Sequence, residues 1–402
     1  MDQSRRKRLL ATCCGVHMLH DGLVDMMYAL LPVLAETFGL SYAQVGTIRG
    51  ANKMATASFQ IPSGLLAERV GERAPLVLGT LLAGFAFIGL AFVDGFMALL
   101  VLFFLAGCGG AVQHPLSSAL ITGIFKGDGR RAALGAYNSF GDIGKFVFMG
   151  GTVLVLGLGI GWHAPVLAFG GIAVTVGILA WAALRSIGAG ARPVQSVADP
   201  RSSTIRLRGW GIRHRGGFLS LGGIAALDNL ARNGFLTFVA FLMIEKGVAT
   251  EWAAVSVLLT VGGGMLGKYA CGVMAERIGV IRTIIATEIA TAVGILAVVL
   301  LPSYAAFLLL PVLGVALNGT SSAIYGTVGE VIDERSHARA FGLIYTLGSV
   351  CGIAGPVLFG LLADRAGVAE TLTLVAGVSL LTLPVCGILA GALTSLRAET
   401  VG

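Results

Sequence analysis

The chain has 402 residues, of which 56% are hydrophobic and only 12% are charged, and its formal net charge is +7. Soluble domains carry roughly 25% charged residues, so this composition excludes an ordinary soluble protein and indicates a polytopic membrane protein. The basic residues lie in short segments between apolar runs, such as 5–8, 69–73 and 126–131. They mark one side of the membrane as cytoplasmic, so the net charge does not indicate binding to nucleic acid.

Twelve apolar runs are long enough to span a hydrocarbon core of about 30 Å, which takes about 20 helical residues. A polar stretch rich in Arg, Ser, Gly and Pro separates the sixth run from the seventh, and we predict that it is a flexible cytoplasmic linker. The sequence therefore predicts an all-α polytopic membrane protein with twelve transmembrane helices in two pseudo-symmetric six-helix bundles. The predicted parts are an N-terminal bundle at 1–187, the linker at 188–216 and a C-terminal bundle at 217–402, with both termini cytoplasmic and the chain in the cytoplasmic (inner) membrane.

An internal repeat supports this division. One ungapped offset of 208 residues aligns the first half with the second, and GLLAERVG at 64–71 falls on GVMAERIG at 272–279. Such an offset, held from the first to the fifth helix of each half, indicates that one unit has been duplicated. The matched pairs include Gly39 with Gly247, Arg69 with Arg277, Tyr137 with Tyr345, and Gly144 with Gly352.

The first predicted helix carries the densest group of titratable residues. His17, Asp21 and Asp25 recur every four residues, with Tyr28 near the same stripe, so they lie on one face of a helix. A central Asp facing lipid costs roughly 2.5–3.5 kcal/mol, so this face is expected to meet a wet cavity or other helices. Asp21, Asp25 and His17 are therefore the candidate proton-coupling residues.

Polar residues in five other predicted helices, together with Tyr28 of the first, are candidates for substrate binding. Arg49 and Lys53 have no acidic residue at i±3 or i±4 on their own helix, and Asp25 is the first expected partner. The pairs Asp142 with Lys145 and Asp228 with Arg232 either neutralise each other or contact substrate. An expected surplus of basic groups favours an anionic or zwitterionic substrate. The candidates are Tyr28, Arg49, Asn52, Lys53, His114, Asn138, Asp142, Lys145, Asp228, Arg232, Asn318 and Tyr325.

The repeated segments GLLAERVGER and GVMAERIGVIR resemble the loop motif G-x-L-A-D-R-x-G-R-K of the major facilitator superfamily, with Glu in place of Asp. The resemblance covers the whole chain. It implies that helices 1, 4, 7 and 10 line a cavity between repeats that rock against each other. It also implies that Glu68, Arg69, Glu276 and Arg277 form gating charge networks and that the protein works as a monomer.

Within the superfamily the chain most resembles the fosmidomycin-resistance type of drug exporter. His17 and Asp21 match that group's H-x-x-x-D, residues 38–46 match the start of its second helix, and 114–118 match its H-P-x-S-S. The chain departs from the group at Leu116, where an acidic residue is usual, and at the Asp142/Lys145 pair, which the group lacks. The resemblance implies export, and the two departures leave the substrate open.

We therefore predict a secondary active transporter, most simply a proton-coupled efflux carrier (drug:H+ antiporter), that moves a small anionic or zwitterionic organic compound across the bilayer by alternating access. The proton gradient is the expected energy source, with no cofactor and no resident metal. One alternative is a proton-coupled uptake symporter for an organic acid. Another is a divalent metal or cation carrier, since His17, His20, Asp21, Asp25 and His114 offer nitrogen and oxygen ligands.

An enzyme is not expected, because the chain has neither H-E-x-x-H nor G-x-S-x-G. The segment GGGMLGKY at 262–269 imitates a phosphate-binding loop, but it has Tyr where Ser or Thr is required. It also lies inside an apolar run, so we predict close helix packing there and no ATP-driven transport.

Overall fold

The computed structural model describes residues 3–191, 214–331 and 337–401. The described residues cluster into two compact units, Met1–Leu40 with Thr47–Ser202, and Ser41–Gly46 with Ser203–Gly402. Most of the predicted linker lies outside the described residues. The regular secondary structure in the described residues is helical throughout, which confirms the predicted all-α fold.

Seven helices form the first half of the chain. They are α1 (Gln3–Phe38), α2 (Tyr42–Val70), α3 (Arg73–Leu90), α4 (Phe96–Gly110), α5 (Gln113–Ile124), α6 (Gly127–Gly157) and α7 (His163–Ser186). Helices α4 and α5 together make the fourth predicted span. They separate just before Pro115, whose ring has no N–H to donate and clashes with the carbonyl four residues earlier, so the helix is interrupted there.

The second half repeats this order. Its helices are α8 (Arg215–Glu245), α9 (Thr250–Ala253), α10 (Val255–Ile278), α11 (Val280–Leu300), α12 (Ser303–Val331), α13 (His337–Ala366), α14 (Val368–Leu380) and α15 (Thr382–Val401). The helical turn α9 continues into α10 as the eighth predicted span, and α14 with α15 makes the twelfth.

The predicted repeat is visible in the backbone. Three glycines of the first unit with left-handed φ angles, Gly39, Gly71 and Gly159, have counterparts 208 residues later at Gly247, Gly279 and Gly367. Each lies at a turn between helices, where positive φ strains any residue with a Cβ atom. The same offset also aligns the residue range of α2 with that of α9 and α10, and the range of α3 with that of α11.

Eleven helical segments of the described residues are long and apolar enough to cross a membrane. Helix α2 is not among them, because Arg49, Asn52, Lys53 and the Glu68–Arg69 pair make it more polar than its neighbours. It has 29 residues, ample for a span of about 20. The predicted twelve-helix membrane fold is confirmed.

Glycines set the packing of α10 against α12. A Cβ on Gly263 would lie 1.9 Å from the carbonyl oxygen of Pro311, and one on Gly267 would lie 2.2 Å from that of Val315. The segment at 262–269 therefore lets two helix backbones touch, as predicted, and it lies within helix α10.

Candidate functional site

A small cavity in the first unit lies among α1, α2, α4, α5 and α6. Its volume is about 190 Å³. Five of the predicted site residues besides Asp21 line it, so the helical stripe on α1 and the polar face of α2 meet the same space. The lining residues are His20, Asp21, Val24, Asp25, Asn52, Lys53, Thr56, Gly110, Gln113, His114 and Lys145.

Three basic side chains meet at the carboxylate of Asp21 on α1. Its Oδ2 lies 3.1 Å from Nζ of Lys145 on α6 and 3.3 Å from Nε2 of His17, one turn earlier on α1. Its Oδ1 lies 3.5 Å from Nε2 of His114 on α5. The Asp21 side chain is only 14% exposed, so these groups take the place of the water that would otherwise stabilise its charge.

Lys145 links two carboxylates. Its ammonium donates to Oδ1 of Asp142, 3.2 Å away and one turn earlier on α6, while it also contacts Asp21. The predicted i, i+3 pair is therefore present, and it extends to a second helix. A cation held between two anions is available to another anion only when one of the two is neutralised.

The backbone of α6 fixes the tautomer of His17. Nδ1 of His17 lies 2.8 Å from the carbonyl oxygen of Tyr137, and the two rings stack with their centroids 4.1 Å apart. A carbonyl oxygen only accepts hydrogen bonds, so Nδ1 carries a proton. Nε2 then faces Asp21 either with a second proton or with a lone pair directed toward an anion.

Gly141 lets this arrangement form. A Cβ atom there would lie 2.6 Å from the His17 ring and 2.9 Å from Oδ2 of Asp21, both closer than packed atoms allow. The sequence does not distinguish this glycine from the others, because a single chain does not show which glycine faces which side chain.

Arg49 is buried beside the cavity and does not line it. Its side chain is 1% exposed, its guanidinium lies 4.1 Å from the centre of the Tyr28 ring, and it donates to the carbonyl of Val24 at 3.2 Å. The expected partner, Asp25, lies 4.0 Å away. Arg49 and Tyr28 thus join α2 to α1 through a cation–π contact.

The expected surplus of basic groups does not survive in the cavity of the first unit. Asp21 and Asp142 face Lys145, and Asp25 faces Arg49. Among the described residues, the cavity lining holds two carboxylates, Asp21 and Asp25, and two ammonium groups, Lys53 and Lys145. Beside the lining, Asp142 and Arg49 add one charge of each sign. The charges balance because Asp142 pairs with Lys145 on its own helix, while Asp21 and Asp25 on α1 contact bases on α6 and α2. Helical spacing gives only the first of these contacts.

The remaining candidates of the first unit differ in position. Asn52 on α2 donates to the carbonyl of Phe103 on α4 at 2.9 Å, so it links helices as well as lining the cavity. Asn138 on α6 is exposed. The gating candidates Glu68 and Arg69, and their repeats Glu276 and Arg277, lie exposed in the last turns of α2 and α10. Their role in gating stays a prediction.

In the second unit, Asp228 and Arg232 form the predicted i, i+4 pair, with 3.8 Å between Oδ2 and Nη2. Arg232 also donates to Oδ1 of Asn229. Asn318 on α12 is half-buried against Gly264 of α10. The side chain of Tyr325 lies outside the described residues. Glu288 on α11, which sequence analysis did not single out, is buried near Asp228.

His17, Asp21 and His114 could together hold a metal ion, since their ligand atoms lie within 4.8 Å of one another. The ammonium of Lys145 lies 3.1 Å from the same carboxylate, and its charge opposes a divalent cation. The donor set thus fits a transition metal poorly, and no resident metal is derived.

This fold and this site define a class: a polytopic helical carrier with a charged cavity inside a six-helix repeat. Residues 13–356 match the Major Facilitator Superfamily, and the chain belongs to that superfamily. It is a multi-pass membrane transporter and not an enzyme.

Two relatives and one solved structure illustrate the similarity. The uncharacterized MFS-type transporter YfnC of Bacillus subtilis is 25% identical over 389 residues, covering 94% of this chain and 91% of that protein. The probable sulfoacetate transporter SauU of Cupriavidus necator is 24% identical over 363 residues, covering 84% and 82%. A bacterial homolog of the human lysosomal transporter Spinster has a TM-score of 0.75 at 19% identity, covering 100% and 95%; it supports the fold alone.

Proposed function

We propose that this protein is a secondary active transporter that carries a small organic anion together with a proton. The observation that carries the proposal is the position of Lys145, which lies between Asp21 and Asp142 at the edge of the cavity. The proton gradient would supply the energy, and no cofactor is needed.

The coupling follows from charge balance. With both carboxylates ionised, the Lys145 ammonium is already neutralised, and an entering anion would meet two negative charges. Protonation at Asp21 removes one of them and leaves a cation free to form charge-assisted hydrogen bonds with the anion. Binding of the proton therefore strengthens binding of the anion, and by linkage the anion strengthens binding of the proton to the same degree.

His17 supports Asp21 as the place where this proton binds. Since Nδ1 of His17 is committed to the Tyr137 carbonyl, only Nε2 can gain or lose a proton, and it lies 3.3 Å from Asp21. A proton on Nε2 of His17 or on the carboxylate of Asp21 removes the unfavourable contact between the Nε2 lone pair and the carboxylate anion. The two side chains thus act as one proton-binding pair. His114, whose half-exposed side chain has Nε2 3.5 Å from Oδ1 of Asp21, offers a route by which protons reach the pair.

The size of the cavity favours a small substrate. Its volume of about 190 Å³ is below the roughly 300–1,000 Å³ of sites for drug-sized ligands. SauU, one of the relatives, is a probable sulfoacetate transporter, and sulfoacetate is a small organic anion. Carboxylates, sulfonates and phosphonates of similar size are the proposed substrate class.

Efflux by drug:H+ antiport is the second candidate, because His17 and His114, which belong to the motifs that resemble those of drug exporters, both contact Asp21. In that mechanism substrate and proton compete, which suits a cationic compound better than an anion. Direction, the cytoplasmic placement of the termini and action as a monomer stay predictions.

The test is proton flux in proteoliposomes. Purified protein is reconstituted in liposomes with an internal pH dye, and sulfoacetate, lactate, phosphonoacetate and the cation tetraphenylphosphonium are added in turn. We expect an anion to enter with protons, and an Asp21→Asn variant to lose the proton movement. Proton movement driven only by the cation, in the opposite direction to its own, would contradict the proposal and favour antiport.

A further inference from the structure

Two acidic side chains are buried inside the second unit, apart from the cavity described above. Asp228 on α8 is 4% exposed and Glu288 on α11 is 1% exposed. Both lie within apolar spans. Ionised carboxylates are costly in such surroundings unless a cation or a proton neutralises them.

The internal repeat shows how these residues pair. The offset of 208 residues places Asp228 on His20 and Glu288 on Thr80 of the first unit. In the first unit, Nε2 of His20 and Oγ1 of Thr80 are 3.0 Å apart and hydrogen-bonded. Asp228 and Glu288 thus occupy positions that are bonded neighbours in the other repeat, and in their own unit they interact electrostatically.

The groups around the pair supply too little positive charge for two carboxylates. Arg232 on α8 is the cation that reaches it among the described residues, with Nη2 3.8 Å from Oδ2 of Asp228. From α12 the hydroxyl of Thr320 faces Glu288, and from α15 the thiol of Cys386 is close to it. One cation balances one carboxylate, which leaves the second to be neutralised.

An unsatisfied atom points to the missing ligand. Oδ2 of Asp228 is buried and has no hydrogen-bond partner among the described residues, although buried polar atoms are nearly always bonded. A proton on the Asp228–Glu288 pair would remove the second negative charge. Asp228 would remain ionised, since Arg232 lies closest to it.

We propose that Asp228 and Glu288 form a second proton-binding site, in which Glu288 holds one exchangeable proton and shares it with Asp228. The proton is taken from water and returned to it, with no other group transferred. This site goes beyond the anion and proton cavity of the first unit and does not depend on it.

Infrared spectroscopy of the purified, lipid-reconstituted protein tests the site, because a protonated carboxyl has its own carbonyl stretch. We expect this band at neutral pH in the unmodified protein, with a shift in D₂O that shows exchange. Glu288→Gln should remove the Glu288 band, whereas Glu251→Gln, which changes an exposed acid on α9, should keep it. Asp228→Asn should also remove the band, because Glu288 would then ionise beside Arg232.

Loss of the band in Glu288→Gln and in Asp228→Asn, with both variants monodisperse and exchange in D₂O, supports the site. A spectrum unchanged by Glu288→Gln would overturn it. A Glu288 band that persists in Asp228→Asn, or that never shifts in D₂O, would also overturn it, because Glu288 would then be neutral through burial alone. All of these readings are independent of anion transport, so failure of the proposed function would leave them unaffected.

Discussion

The ammonium of Lys145 lies 3.1 Å from the carboxylate of Asp21, and the two residues belong to different helices, α6 and α1. This contact joins a predicted proton-coupling residue to a predicted substrate-binding residue. It explains how one proton could control whether a cation is available for an anion.

The cation itself is the first target. We expect Lys145→Gln to lower the affinity for the anion by at least about tenfold, because a charge-assisted bond of about 1.5–3 kcal/mol is lost. Asp142→Asn should act in the opposite direction. It leaves Lys145 with one carboxylate instead of two, so KM should fall severalfold at alkaline pH. Uptake kinetics in proteoliposomes check both variants, and a higher KM in Asp142→Asn would contradict this account.

Gly141 provides a packing test at the same site. Gly141→Ala should displace the His17–Asp21 pair and lower uptake by about tenfold or more, since overpacking typically costs about 1–3 kcal/mol. Gly135→Ala on the same helix is the matched control, because a Cβ there meets nothing within 4 Å. Uptake and thermal unfolding are measured for both. Equal uptake and equal thermal unfolding in the two variants would show that the close contact at Gly141 is not needed for transport.

His17 and His20 separate coupling from packing. His17→Gln removes the group that can gain a proton beside Asp21, so the dependence of anion uptake on pH should weaken. His20→Gln keeps a hydrogen-bonding group opposite Thr80 and should retain the dependence found in the unmodified protein. The measurement is initial uptake between pH 5 and 8 without a membrane potential. If both variants keep the full dependence, His17 is not part of the proton-binding pair.

Arg49 is expected to act on stability more than on affinity. Arg49→Met leaves Asp25 without its cation and removes the contact with Tyr28, and breaking a buried pair costs about 3–5 kcal/mol. Arg49→Lys keeps the charge but loses the planar guanidinium, so its stability should lie between that of Arg49→Met and that of the unmodified protein. Thermal unfolding in detergent measures the melting temperatures of the three proteins and so their order of stability. A melting temperature for Arg49→Met equal to that of the unmodified protein would contradict this role.

The fold was accessible from the sequence because each transmembrane helix requires a long apolar run, and because an ungapped repeat fixes six helices per half. The stripe of His17 and Asp21 was also accessible from the sequence, because helical periodicity places both residues on one face. The residues on other helices that contact this stripe could not be predicted from the sequence. Spacing gives no distance between α1 and α6, so the neutralisation of Lys145 by two carboxylates, and the consequent loss of the expected basic surplus, appeared only in three dimensions.

Glu288 shows a different reason for a missed residue. It is the single acid of a mainly apolar run, without a charged residue at i±3 or i±4 on its own helix, and it becomes informative only beside Asp228. The repeat could have revealed it, since the offset of 208 places it opposite Thr80, the partner of His20, but that pairing is a contact in space and not a motif.

The most direct test of proton and anion coupling is binding without transport. Purified protein in weakly buffered detergent solution near pH 7 is mixed with sulfoacetate, lactate or phosphonoacetate, and the pH change is recorded for each anion that binds. The account predicts that the protein takes up as much as about one proton per bound anion, and that Asp21→Asn takes up none. Release of protons on anion binding, or the same uptake in Asp21→Asn, would contradict it.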